Sequence, residues 1–185
     1  MTTTKKILST ASSTDLDGTS PNPNDSLLSI VVVGASGDLA KKKTFPSLFH
    51  LYSSGLLPDE TIIWGYARSQ LTDEELRARV KPYLILEHPS KEVIVDKFLS
   101  RCRYQGGDSY GDVKAFTSIK EAIEKNENAV TGLKEYNRLF YFAIPPNVFA
   151  ETGLAIKQTC MQIEDRKSTR LNSSHDLASR MPSSA

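Results

Sequence analysis

Ile30-Val31-Val32-Val33-Gly34-Ala35-Ser36-Gly37-Asp38-Leu39-Ala40-Lys41-Lys42-Lys43 is the stretch whose reading decides the fold. The β-branched run predicts a strand buried on both faces, since a half-exposed strand would alternate apolar and polar residues. The glycines that follow predict a tight turn, and the residues after them open a helix. A strand, a glycine turn and a helix in that order gather backbone N–H groups and the positive end of a helix dipole at one point, which suits a phosphate. The spacing is G-x-x-G-x-x-A, with Ser36 where the dinucleotide fingerprint usually has its second glycine. Gly34 permits the turn, Gly37 allows a pyrophosphate to approach, and Ala40 is small enough for close helix–strand packing. An ordinary βα turn without a ligand is the alternative reading. A P-loop is excluded, because Leu39 stands where its second glycine would fall.

Outward from this turn, strand and helix signals alternate. Leu28 to Val33 predicts the first strand, and Asp38 to Tyr52 a helix that Pro46 should kink or interrupt. Thr61 to Trp64 predicts a second strand, and Thr72-Asp73-Glu74-Glu75 a capping box opening a helix to about Leu86. Further helices are expected at Lys91 to Leu99, Ile119 to Lys125 and Asn147 to Ile163. Further strands are expected at Tyr104-Gln105 and Arg138 to Ile144. Repeated βα units imply an α/β fold: a Rossmann-like, doubly wound parallel sheet, incomplete at its C-terminal side. Residues 1–26, rich in Ser, Thr, Asn and Pro, read as a disordered leader, and 27–165 as the nucleotide-binding domain. Residues 166–185 read as an unstructured tail without aromatic residues or a sustained period.

The exit of the second strand selects the dinucleotide. Enzymes that use NAD place a carboxylate there, about 20 residues past the fingerprint, to hold the ribose hydroxyls. Here the exit is Gly65-Tyr66-Ala67-Arg68-Ser69-Gln70, with a guanidinium and no carboxylate. Arg68 can grip a 2′-phosphate bidentately while its plane stacks on adenine, so NADP is favoured over NAD. A solvated surface arginine is the plainer alternative.

The remaining composition mostly excludes. In 185 residues, 23 Lys and Arg stand against 22 Asp and Glu, so no global basic field argues for nucleic acid or a membrane surface. Lys41-Lys42-Lys43 reads as the solvated face of a helix. No apolar run approaches the roughly 20 residues of a membrane span. The leader has no apolar core and no Arg, and carries Asp15, Asp17 and Asp25, unlike a secretory or transit signal, which points to the cytoplasm. Cys102 and Cys160 lie far apart without metal-ligand spacing and read as buried thiols in a reducing compartment, and no metal site is expected. His50, His88 and His175 show no dyad spacing, so no catalytic base is assigned.

With these residues in view, the chain resembles the coenzyme domain of the glucose-6-phosphate dehydrogenase family. The resemblance rests on Gly34 to Lys43 followed by Phe45-Pro46, on Gly55-Leu56-Leu57-Pro58, on Gly65 to Ser69, and on Asn137 to Pro146. It implies NADP bound by Gly34, Ala35, Ser36, Gly37, Asp38, Leu39, Ala40 and Lys41, with Arg68 on the 2′-phosphate. It also implies Lys43 near the junction of coenzyme and substrate, and Pro145 bordering the nicotinamide. Phe149 stands where some members carry a coenzyme-contacting tyrosine, so a contact through a phenol hydroxyl is lost. The implied reaction is hydride transfer from the anomeric carbon of glucose 6-phosphate to NADP, giving 6-phosphogluconolactone in the pentose phosphate pathway, by an enzyme that forms homo-oligomers.

The family continues with a Glu-Lys-Pro-Phe-Gly block and two later histidines that this sequence does not contain. Residues from about Arg166 are therefore expected to be foreign to the family, and the chain alone is expected to be inactive. Another NADP-dependent reductase on the same fold, or a non-catalytic NADP-binding module, are the competing readings.

Overall fold

The computed structural model describes residues 26–130, 135–161 and 169–173. Most of the leader and residues 174–185 lie outside them. Five parallel strands form one sheet: β1 (Ser26–Val33), β2 (Glu60–Ala67), β3 (Cys102–Gly106), β4 (Glu135–Phe142) and β5 (Thr169–Ser173), in the order β3-β2-β1-β4-β5. The helices are α1 (Phe45–Ser53), α2 (Asp73–Glu87), α3 (Glu92–Ser100), α4 (Val113–Ala129) and α5 (Phe149–Thr159). This is the doubly wound arrangement, in which strand order reverses between β1 and β4 and opens a crevice at their C-terminal ends.

β1 shows why an all-apolar run was required. Ile30 and Val32 enter one core with Phe45, Phe49, Ile63 and Leu76, on the side of α1 to α3. Val31 and Val33 enter a second core with Tyr66, Phe116, Phe140 and Ile156, on the side of α4 and α5. Successive side chains alternate across the strand, so both sets must be apolar. Each buried aliphatic or aromatic side chain contributes about 1.5–3 kcal/mol. Cys102 and Cys160 are both buried free thiols, and burial pushes Cys102 up to about 12.

Several boundaries move for identifiable reasons. Pro46 was expected to kink or interrupt its helix, and the interruption takes the form of a π-helical turn over Ala40–Thr44 that leads directly into α1. The Phe45 amide donates to Ala40 O, five residues back, and Pro46 then falls in the first turn of α1, where a missing N–H is tolerated. The capping box forms as expected, with Thr72 Oγ1 accepting from the Glu75 amide at 3.2 Å and Glu75 Oε2 accepting from the Thr72 amide at 2.7 Å. α4 starts six residues earlier than expected because Asp112 caps it, accepting from the amides of Lys114 and Ala115. α5 runs through Gly153 and ends at Thr159; the expected continuation over 162–163 lies outside the described residues.

β5 corrects the expectation of no structure across the tail at five residues. Its backbone pairs with β4 in register, Arg138 opposite Thr169 and Phe142 opposite Ser173. The edge of β4 presents a row of backbone donors and acceptors, and such an edge pairs with a chain segment largely regardless of its side chains. Among the described residues no helix is long and apolar enough to cross a membrane.

Candidate functional site

The crevice between β1 and β4 is built around Gly34. This residue sits at φ +91°, a conformation that L side chains rarely adopt. A Cβ there would strike Ala143 O and come within 2.8 Å of Ile144 Cγ2, so the close approach of the two strand exits also demands glycine. The Ala143 amide donates to Val33 O at 2.8 Å and ties those exits together. On the other side, Gly34 and Ala35 amides both donate to Tyr66 O, at 2.7 and 3.0 Å, which anchors the turn to the end of β2. Ala35 and Ala40 are fully buried against the sheet.

Beyond Ala35 the turn rises into solvent. Gly37, Asp38 and Leu39 are exposed, and the amides of Ser36, Asp38 and Leu39 find no acceptor among the described residues. Near Gly37 only Gly34 O, at 3.1 Å, would meet an added Cβ, so this glycine keeps the outer side of the turn low and open. Amides without partners at the start of a helix are an anion cradle. The Asp38 carboxylate is ion-paired to Lys41 at 3.0 Å and Lys42 at 3.1 Å, and their hydrogen bonds hold it below the usual carboxylate range. The pairing offsets the negative charge of Asp38 at the mouth of the cradle.

The second part of the site lies over the ends of β2 and β3. Ser36 Oγ and Ser69 Oγ are 3.1 Å apart, linking the glycine turn to the segment that carries Arg68. The Tyr104 hydroxyl donates to Ser69 O at 2.7 Å, and burial raises that phenol's pKa. Arg68 is exposed, and its guanidinium lies 5.0 Å from the centre of the Tyr110 ring. Tyr110 belongs to the loop after β3, which the buried Tyr66 phenol fastens by donating to Ser109 O. Asp112 Oδ2 accepts from the Asp108 amide at 2.9 Å across the same loop.

Asp112 thus holds the loop and caps α4 together, and the amides of Asp108, Ala115 and Lys114 keep its pKa below that of a free carboxyl. A depressed native pKa gives stability that is present above the unfolded value and lost as pH falls through the native one. Asp112→Ala is expected to cost about 1 kcal/mol near neutral pH, with the gap to the parent shrinking below about pH 4. Urea midpoints measured from pH 7 to pH 3 test this, and a gap independent of pH would contradict it.

The structure therefore brings the turn residues Gly34 to Lys41 together with Arg68 and places Pro145 just beyond the exit of β4. Phe149 packs its ring on Phe142, with centroids 5.3 Å apart, against the second core. Lys43 lines a separate groove of about 460 Å³ on the outer side of α1, together with Lys42, Ser47, His50, Glu87 and His88. Both described histidines thus line that groove. Sequence reasoning missed Tyr104, Tyr110 and the hydroxyl of Ser69; Gly106-Gly107 signalled a loop, but nothing in a linear reading aimed its aromatic residue at Arg68. Among the described residues no group of His, Cys, Asp or Glu could hold a metal ion.

This geometry matches a known family. The family model described as glucose-6-phosphate dehydrogenase, NAD binding domain, matches residues 31–172. The chain belongs to the glucose-6-phosphate dehydrogenase family. It is 45% identical over 147 residues to the cytoplasmic isoform of glucose-6-phosphate 1-dehydrogenase of Solanum tuberosum, covering 77% of this chain and 28% of that protein. It is 46% identical over 129 residues to chloroplastic glucose-6-phosphate 1-dehydrogenase 3 of Arabidopsis thaliana, covering 68% of this chain and 21% of that protein. A solved glucose-6-phosphate dehydrogenase in complex with its substrate glucose-6-phosphate superposes with a TM-score of 0.71 at 37% identity, covering 83% of this chain and 31% of that one. The chain thus spans less than a third of the length of these glucose-6-phosphate dehydrogenases. Its described residues form the family's dinucleotide-binding domain.

Proposed function

We propose that this chain is the coenzyme-binding portion of an NADP-dependent glucose-6-phosphate dehydrogenase. The observation that carries the choice of NADP is the exit of β2, where Arg68 stands beside the glycine turn and the strand ends in Gly65-Tyr66-Ala67 without a carboxylate. A dinucleotide fits the residues present. The free amides of Ser36, Asp38 and Leu39 would hold the pyrophosphate, and Arg68, with the paired hydroxyls of Ser36 and Ser69, would hold the 2′-phosphate. Pro145 would border the nicotinamide, which accepts hydride when bound.

What this chain's own residues do is bind and orient. The fixed turn at Gly34 and the tied exits of β1 and β4 hold one wall of the crevice rigid, which lowers the entropy lost on positioning two reactants. The relatives' names carry the substrate, glucose 6-phosphate, and its dehydrogenation at carbon 1; that activity, with the lactone as its product, belongs to the whole protein and is part of this proposal. A cytoplasmic location is a further part, supported by the cytoplasmic isoforms among the relatives, beside which chloroplastic ones also match.

Arg68→Leu tests the coenzyme assignment. Loss of charge-assisted hydrogen bonds worth about 2–3 kcal/mol should weaken NADP binding about 30- to 150-fold, and NAD, which shares only the adenine contact, far less. Calorimetric titration of the purified chain with each dinucleotide reads this directly. Equal losses for both would sink the 2′-phosphate role.

A further inference from the structure

We infer that Tyr110 is a positioning residue for coenzyme specificity: its ring holds the Arg68 guanidinium in place for a 2′-phosphate. The inference rests on the NADP reading above and deepens it.

Arg68 is an exposed side chain at the end of a strand, and among the described residues no carboxylate pairs with it. Left to itself, such a side chain samples many rotamers and loses that freedom on binding. The Tyr110 ring, 5.0 Å from its guanidinium carbon, supplies the restraint. The form of that restraint suits the task. Stacked flat on the ring, a guanidinium engages one face, whereas a phosphate is gripped by the N–H groups at its edge. In that arrangement Tyr110 fixes the group without occupying its donors and leaves the opposite face for a base. A carboxylate in the same place would compete with the phosphate for those donors.

The loop that carries Tyr110 is built to stay still. The Tyr66 phenol donates to Ser109 O, next in sequence to Tyr110. The Gly107 amide donates to Ala67 O at 3.1 Å, and a Cβ on Gly107 would strike the Tyr66 ring. Asp112 closes the loop from the far side through the Asp108 amide. Both partners of the contact thus hang from the same pair of strand ends: Arg68 directly follows Ala67, whose carbonyl holds the loop. Partly buried packing of Tyr110 against the second core fixes its body as well.

The test compares Tyr110→Leu, which keeps an apolar body but removes the π face, with Tyr110→Phe, which keeps the face and removes only the hydroxyl. Each full chain is titrated with NADP and with NAD, reading Kd and the ligand-induced rise in Tm. The expected result is a three- to fivefold loss of NADP affinity in the leucine variant, unchanged NAD affinity, and recovery in the phenylalanine variant. A leucine variant that weakens both dinucleotides alike, or neither, overturns the inference, as does failure of phenylalanine to rescue. The Arg68 side-chain N–H resonance of the parent chain serves where the leucine variant does not fold: a ring-current shift supports the contact and its absence refutes it. If the parent chain shows no preference for NADP over NAD, the coenzyme reading fails first and takes this inference with it. A parent preference that survives in Tyr110→Leu condemns the positioning role alone.

Discussion

Gly34→Val is expected to unfold or nearly unfold the chain and to abolish dinucleotide binding. Two costs add at this position. The backbone sits at φ +91°, where a β-branched residue is strained by about 1–3 kcal/mol. The new Cβ would also strike Ala143 O and lie 2.8 Å from Ile144 Cγ2, and forced overpacking of this kind costs about 1–3 kcal/mol more. Against a typical domain stability of about 5–15 kcal/mol, that sum is a large fraction. Relief would require β4 to move away from β1, which would open the crevice itself. Urea unfolding of the variant beside Gly37→Ala separates the two glycines, since only Gly34 O, at 3.1 Å, crowds a Cβ at position 37. Gly37→Ala should fold close to normally and lose dinucleotide affinity; a Gly34→Val chain with the parental midpoint would refute the account.

Glu127→Leu should destabilise the chain by about 3–5 kcal/mol without touching the crevice. Arg138 lies on β4 and Glu127 on α4, both buried, joined by two hydrogen bonds of 2.9 and 2.7 Å. Arg138 also donates to Cys160 O at 3.1 Å and lies 3.8 Å from Glu124, so it binds α4, β4 and the end of α5 into one corner. Burial alone would lower the pKa of Arg138, and the hydrogen bonds and charge of Glu127 more than offset it, so the guanidinium stays charged. Removing Glu127 leaves a buried cation with only a carbonyl and a more distant carboxylate. The double variant Glu127→Leu with Arg138→Met should recover much of the loss, because an apolar pair of similar size has no charge to desolvate. Chemical denaturation of the three variants decides it, and a single-variant cost below about 1 kcal/mol would mean that Glu124 suffices.

The elements legible in the sequence are those whose signal is local. β1 was readable because burial on both faces favours an unbroken apolar run, here Ile30 to Val33, and α2 because Thr72 and Glu75 cap its first turn within four residues. Gly34 was readable because a strand leaving into a helix has few ways to turn. The elements that were misjudged carry weaker local signals or depend on a distant neighbour. α4 opens on Val113-Lys114-Ala115-Phe116, and its start is marked by Asp112, a cap that accepts from Lys114 and Ala115 and that the reading from Ile119 onward passed over. The π turn at Ala40–Thr44 absorbs Pro46, and no composition rule signals it. β5 pairs through its backbone with an edge that only the folded sheet provides.

The sequence by itself therefore determined the fold class, the glycine turn and the guanidinium at the end of β2, because each follows from residues adjacent along the chain. Tertiary structure alone decided what surrounds them. It set Tyr110 against Arg68, joined Ser36 to Ser69, pressed Ala143 onto Gly34 and turned Lys43 toward a groove with His50 and His88. The first three of these contacts join segments separated by 33 to 109 residues, and parallel strands bring such segments together at their common C-terminal ends.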